Sequence, residues 1–358
     1  MTEFTHNIAR SALDMPGVEL TVSVSRQNEA FDRFEEFGRS LVPVQTFESG
    51  VGAVSSAWRI PGLRARMRRM AAERQLDAAV TLMPHVWSPL VNGVFRSAGV
   101  RYATVIHDAN RHPGDHRGFA DRWTRRDARA ADVIFTLSRT VGERLATGQP
   151  RLRDQIVRLF HPELDFGRKA DIRRRDAARP LKLLFLGRIM RYKGLGLLVE
   201  SLELLRERGI EVELGVYGEG VIGSYHARLA SMGAEIVNRW LTEAEVADAL
   251  AKHDAVVLSH IEASQSGVAA AAFGAGVPVI ATPVGGLTEQ VVDGETGVLA
   301  TAVDPAAFAD AVARLSGDPG LYDRIADNLA AGASNRSMRR FIELMIAALD
   351  KAPHAPAR

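Results

Sequence analysis

The chain has 358 residues, more than one hydrophobic core usually serves, so two domains are expected. Hydrophobic residues make up 46% and charged residues 25%, an ordinary globular composition, and a net charge of +2 is too small to point to nucleic acid. The absence of cysteine excludes disulfides, thiolate nucleophiles and cysteine-ligated metals. No apolar run approaches the roughly 18 residues of a membrane span, and Met1–Arg10 lacks the apolar stretch of a signal peptide. A soluble, cytoplasmic protein is the expectation.

Along the chain, short β-branched runs alternate with longer helical stretches, the pattern of parallel sheets covered by helices. The chain opens inside a helix, Thr5–Leu13, without the strand and glycine turn that normally begin a doubly wound domain; the first strand of that domain is expected to be missing. Strands follow at Leu20–Ser25, Val42–Phe47, Ala78–Met83, Tyr102–Ile106, Val133–Leu137 and Gln155–Leu159. Within this half, Arg59–Arg74 holds six arginines against one acid, Glu73, with Ile60, Leu63, Met67 and Met70 interleaved. Such a helix fits either an anionic membrane surface or a core-packed helix with a solvated basic face. It lacks the interleaved aromatics of a nucleic-acid site, and no nucleic-acid partner is expected.

His107-Asp108 closes the strand Tyr102–Ile106, and Asn110 and His112 follow in a loop. These types at a strand's carboxyl end suit acid/base work or the gripping of hydroxyls. They lack the spacing of a metal site, and no Asp-x-Asp, P-loop or Gly-x-Ser-x-Gly elbow occurs; neither metal nor cofactor is expected. Residues 168–180 carry six basic side chains and no strand-like run, as an interdomain linker would. The expected division is 1–167, the linker 168–180, a second domain over 181–336, and a last helix over 337–350.

The second half reads as strands at Leu181–Leu186, Glu211–Tyr217, Ala234–Val237, Ala255–Ser259, Pro278–Ala281 and Gly297–Ala300. After the first of these come Gly187-Arg188 and then Tyr192-Lys193-Gly194. Ligands of open α/β sheets bind beyond the carboxyl ends of the strands, so Arg188 and Lys193 emerge where a pyrophosphate would lie. Spacing alone equally fits two solvated charges at a strand-to-helix turn. Glu262-Ala263-Ser264-Gln265-Ser266-Gly267 precedes a small-residue helix, whose N-terminus suits an anion or sugar hydroxyl; a plain helix cap gives the same pattern. Gly218-x-Gly220-x-x-Gly223 matches a dinucleotide fingerprint, but it follows the second strand of its domain and lacks the acidic residue about 20 positions on. Dinucleotide binding is therefore not expected.

Together, Leu186-Gly187-Arg188…Lys193-Gly194, Val216-Tyr217-Gly218-Glu219-Gly220 and the stretch from Ser264 through Gly297 resemble retaining glycosyltransferases of family four. The branch resembled carries a Gln-Ser-Gly-Val donor loop. The resemblance implies a GT-B fold, two doubly wound parallel-sheet domains facing across a cleft, and hexosyl transfer from a nucleoside-diphosphate sugar to a saccharide or lipid-linked acceptor. Polysaccharide or glycolipid biosynthesis is the implied setting, with peripheral attachment to the membrane's inner face through Arg59–Arg74. Gly187, Arg188, Lys193, Gln265, Ser266 and Gly267 would hold the donor. His107, Arg188, Lys193 and Glu262 would serve catalysis, and Asp108, Asn110 and His112 would line the acceptor side. Arg188 and Lys193 would stabilise the departing diphosphate, a phosphate oxygen would take the acceptor's proton, and His107 would position the sugar. One departure bears on the ribose contact: the family's second Glu, eight residues after Glu262, is replaced by Ala270. This departure and the missing first strand motivate the alternative of a catalytically impaired nucleotide-sugar-binding or partner protein.

Overall fold

A computed structural model describes residues 2–48, 50–108, 126–166 and 172–352. The first half opens with the helix Thr2–Leu13 and strand β1 (Val22–Ser25), which pairs in parallel with β2 (Leu41–Val44). Strands β3 (Ala78–Thr81), β4 (Arg101–Ile106), β5 (Val133–Thr136) and β6 (Ile156–Arg158) form a second parallel sheet in sequence order. In the second half, β7 (Leu181–Leu186), β8 (Val212–Tyr217), β9 (Glu235–Val237), β10 (Ala255–Leu258), β11 (Val279–Ala281) and β12 (Gly297–Leu299) make one sheet. Its order is β12-β11-β10-β7-β8-β9, all pairs parallel. The chain winds outward from β7 in one direction and resumes on its other side at β10, so the crevice between β7 and β10 is the topological switch point.

Burial on both faces explains why β7 is a near-continuous apolar run: Leu181, Leu183, Leu184 and Phe185 are at most 1% exposed. One core runs under all of this second sheet, whereas the first half divides its apolar side chains among three clusters. One of these clusters joins Phe4, Ile8 and Ala12 of the first helix to Val105 and Phe135 and to Phe341, Ile342, Met345 and Leu349. The final helix, Met338–Lys351, is capped by Ser337, whose Oγ accepts from the Arg340 N–H at 3.1 Å. It thus packs on the first half although it follows the second.

The basic stretch before β7 is pinned rather than free. Arg174 grips Asp327 through two bonds of 3.0 and 2.8 Å, Arg179 grips Asp254 through bonds of 2.6 and 2.7 Å, and Arg173 Nη2 donates to the Leu250 carbonyl at 2.8 Å. Planar guanidinium forks match carboxylates in this bidentate manner, and here they lash residues 173–179 to the second half.

The G-x-G pattern has a packing explanation. Gly218 and Gly220 have φ of +143° and +153°, and a Cβ at either would lie 2.2 Å from the carbonyl oxygen of Gly187 or Ile189, respectively. Only glycine lets the turn after β8 lie against the turn after β7.

Candidate functional site

At the switch point, β7 delivers Gly187 and Arg188, and the turn Arg191–Lys193 brings Lys193 back over Gly187. A Cβ on Gly187 would lie 3.0 Å from Lys193 Nζ and 3.3 Å from Val268 Cγ2, so ammonium, glycine and donor loop converge. Lys193 is 9% exposed; burial, and then the charge of Arg188, push it down to about 8. Among the described residues neither Lys193 nor Arg188 has a carboxylate within ion-pair distance. Two cations held together without a protein anion make a site for an anionic ligand.

The wall opposite is the loop before the Gly267–Gly274 helix. Ser266 caps that helix through the Ala269 N–H at 3.2 Å, and Gln290 clamps the Ser266 backbone at 2.6 and 3.1 Å. Gly267, the first residue of this helix, is exposed, and the free N–H groups of a helix N-terminus suit an anion. Ala269 through Ala272 are at most 3% exposed. The Ala270 carbonyl accepts the Leu164 N–H at 3.1 Å, and a Cβ at Gly274 would lie 2.3 Å from the Leu164 carbonyl oxygen. The small side chains allow the segment connecting the halves to lie backbone to backbone on this helix. Ala270 is buried there, so no carboxylate reaches the cleft from that turn.

From the first half, β4 ends at His107. Its Nε2 lies 2.9 Å from the Leu82 carbonyl, which can only accept, so the proton is on Nε2 and Nδ1 is a lone pair. Gln265 Nε2 reaches that lone pair across the cleft at 3.3 Å. Burial keeps the imidazole below its usual value, against the opposing pull of the Leu82 bond and Asp108, so His107 is neutral. Asp108 is exposed at the cleft edge; Asn110 and His112 lie outside the described residues. Glu262 stands apart from Arg188 and Lys193, with Oε1 3.7 Å from Arg144 Nη1 of the first half. The structure therefore groups Gly187, Arg188, Lys193 and Gly267 on one side and His107 with Gln265 on the other, with Glu262 turned to Arg144.

Further polar contacts join the halves. The Glu289 carboxylate accepts the Arg139 and Thr140 N–H groups at 2.6 and 2.9 Å and the Thr140 hydroxyl at 3.1 Å, a negative charge on the N-terminus of the helix Arg139–Gly148. Ser138 Oγ donates to the Ser264 carbonyl at 2.9 Å. Neither clamp is visible in local sequence patterns, because each pairs residues more than 120 positions apart. His161 and Gln290 were also missed; His161-Pro162, closely following a strand, was the one available signal.

A third junction is pH-sensitive. Arg33 sits between Glu3, in the first helix, and Glu243, whose Oε1 it meets at 2.5 Å. Burial, then the hydrogen bond and charge of Glu3, push Glu243 up to about 7. Burial opposes ionisation of Glu3 too, yet its bonds to Glu243 and Arg33 hold it below its usual value, so the pair keeps one proton. A carboxyl raised on folding contributes stability below its ordinary value that is lost as pH rises through about 7. The thermal midpoint is expected to fall as pH rises from about 5 to about 7 and to level off above that, and Glu243→Gln is expected to flatten that fall. An unchanged slope in the variant would show that the junction does not titrate there.

Two parallel-sheet α/β halves with ligand-facing turns meeting across a crevice define the GT-B fold. Over residues 180–318 the chain matches the family model described as Glycosyl transferases group 1. It is 32% identical over 206 residues to a D-inositol 3-phosphate glycosyltransferase of Streptomyces bingchenggensis, covering 52% of this chain and 44% of that relative. The chain spans about half the length of the curated relatives it matches. Among solved structures, Anabaena Alr3699/HepE in complex with UDP-glucose superposes with a TM-score of 0.70 at 16% identity, covering 98% of this chain and 95% of that one. A putative UDP-N-acetylglucosamine 2-epimerase from Listeria monocytogenes gives a TM-score of 0.59 at 14% identity, covering 97% and 92%. The fold thus spans proteins named for transfer and for epimerisation, and chemistry must be argued from the site.

Proposed function

We propose that the protein is a retaining glycosyltransferase that moves a hexosyl group from a nucleoside-diphosphate sugar to a saccharide or lipid-linked acceptor in polysaccharide or glycolipid assembly. The observation that carries this reading is the pair Arg188 and Lys193, without a carboxylate partner among the described residues, with Lys193 Nζ folded over Gly187 at the switch point. In the reaction, the bond from the anomeric carbon to the diphosphate oxygen breaks and the acceptor oxygen bonds that carbon on the same face. The acceptor's proton passes to a phosphate oxygen. The two cations stabilise the charge that grows on the leaving group, where fixed electrostatics act most strongly. Neutral His107 positions the sugar, and no metal is required by this scheme.

The testing experiment incubates the protein with UDP-, GDP-, ADP- and dTDP-sugars and follows release of the nucleoside diphosphate. One donor is expected to be consumed, and Arg188→Ala is expected to slow its turnover by about 10²-fold or more, as for other removed transition-state donors. Turnover unaffected by Arg188→Ala would remove the phosphate role. A second reading, a nucleotide-sugar binder without turnover, is favoured by the engagement of Glu262 with Arg144 and by Ala270. Donor consumption by the wild-type chain rules it out.

The proposed location is the cytoplasmic face of a membrane. Arg66, Arg68 and Arg69 are exposed on the helix Ile60–Glu73, while Met67 and Met70 are buried beneath it. Just before this helix, Val51, Val54 and Trp58 are 82%, 79% and 74% exposed, an apolar patch beside a basic face. Retention on anionic vesicles at low salt is expected, weakened by Trp58→Ala. Equal retention on neutral vesicles, or none on either, would rule out this docking.

A further inference from the structure

We propose that His161 is a specificity-determining residue of the donor site, accepting a hydrogen bond from a hydroxyl of the transferred sugar. The inference rests on the donor reading above and adds a residue which that reading does not use.

His161 lies in the segment that leaves β6 and crosses to the second half. Its Nδ1 is 2.9 Å from the Pro162 carbonyl, and a carbonyl can only accept, so the ring proton is on Nδ1 and Nε2 presents a lone pair. That lone pair faces the start of the Gly267–Gly274 helix: a Cβ on Gly267 would lie 3.8 Å from it. Among the described residues no donor meets His161 Nε2. Burial, and then the neighbouring His107, hold the ring down to about 4, so it stays a neutral acceptor at working pH. Phe4 fixes the geometry, its ring lying edge-on to both imidazoles with centroids 5.4 Å from His161 and 5.1 Å from His107.

A second acceptor, in the loop before the Gly267–Gly274 helix, lacks a donor. Gln265 spends its amide N–H on His107 Nδ1, and its Oε1 is buried without a partner. Buried acceptors left open are costly unless a ligand supplies the donor. The site therefore divides by chemistry. Around Gly187 it offers cations and N–H groups, which suit a diphosphate. Towards the first half it offers two neutral acceptors, which suit hydroxyl groups. The transferred sugar must lie between the diphosphate and the acceptor-binding half, and His161 stands on that side of the Gly267 turn. The ribose of the nucleotide also carries hydroxyls, so the test separates the two sources.

Calorimetric titration of the full chain would compare each nucleoside diphosphate with its sugar derivative: UDP with UDP-glucose, GDP with GDP-mannose, ADP with ADP-glucose and dTDP with dTDP-glucose. The wild-type protein is expected to bind one sugar derivative more tightly than the bare diphosphate. His161→Ala is expected to lose about tenfold of that gain, the size of one hydrogen bond, while affinity for the diphosphate stays within about twofold. His161→Gln, which keeps an acceptor, is expected to recover part of it. A sugar gain that survives in His161→Ala overturns the proposal. So does a parallel loss for the bare diphosphate, which would assign His161 to the ribose or to structure. If the wild-type protein binds no diphosphate at all, the donor reading itself falls, and that result is distinct from either of the others.

Discussion

Lys193→Ala is expected to lower turnover by about two to three orders of magnitude while leaving the urea midpoint equal to or above that of the wild type. The two halves of this expectation have one cause. Lys193 is a desolvated cation whose charged form is disfavoured further by a second cation, Arg188. Such a group weakens the empty fold, because burial without an opposite charge is costly, and removing it relieves that penalty. In the occupied site, two added phosphate charges reverse the balance. The pH profile gives a further readout. Without ligand, Lys193 loses its proton as pH rises through about 8, so kcat/KM is expected to fall on that limb. Lys193→Arg, whose guanidinium stays charged, is expected to abolish the fall. Lys193→Ala with normal turnover, or an alkaline limb unchanged in Lys193→Arg, would separate this lysine from the chemistry.

The second large effect is on stability. Gly194→Ala is expected to cost about 3 kcal/mol or more in urea unfolding, from left-handed strain of roughly 1–2 kcal/mol together with steric overlap. Gly194 has φ +68°, and a Cβ there would lie 1.9 Å from the Ser259 carbonyl oxygen. That strand end has little room to retreat, because Ser259 Oγ donates to the carbonyls of Lys193 and Gly194 at 3.1 and 3.0 Å. Gly209 is the control: its φ is +73° with nothing within 4 Å, so Gly209→Ala should show the conformational cost alone, about 1–2 kcal/mol. Equal losses in the two variants would mean that the close approach at Ser259 is absent in solution.

These two glycines also show how far the sequence could be read. The turn after β7 was legible because Leu181–Leu186 is apolar except for Lys182 and ends abruptly at Gly187, and the observed strand has those bounds. The other strands differ by a residue or more at one or both ends, as with Val22–Ser25 against an expected Leu20–Ser25, since fraying ends carry no apolar signal. The short helix Gly50–Ser55 and the 3-10 segment Phe31–Ser40 went unread: the first contains two glycines, and the second lacks α-helical periodicity. Within the site, strand-end residues such as His107 and Arg188 were legible from their position on the fold. What joins the halves was not. Glu289 on the Arg139 helix, Glu243 against Glu3, and His161 against Gly267 depend on how two separately folded sheets face each other, and no local periodicity encodes that.

The β7–β10 crevice is proposed as a nucleoside-diphosphate site. Its most direct test is a thermal-shift panel of UDP, GDP, ADP, dTDP and NAD on the wild-type protein and Arg188→Ala, since a ligand of the native state raises apparent stability by mass action. One nucleoside diphosphate is expected to raise the midpoint, by about 2.7 kcal/mol of stabilisation at a hundredfold excess over Kd, and Arg188→Ala is expected to lose most of the shift. A shift with NAD alone, or a diphosphate shift indifferent to Arg188, would contradict that proposal.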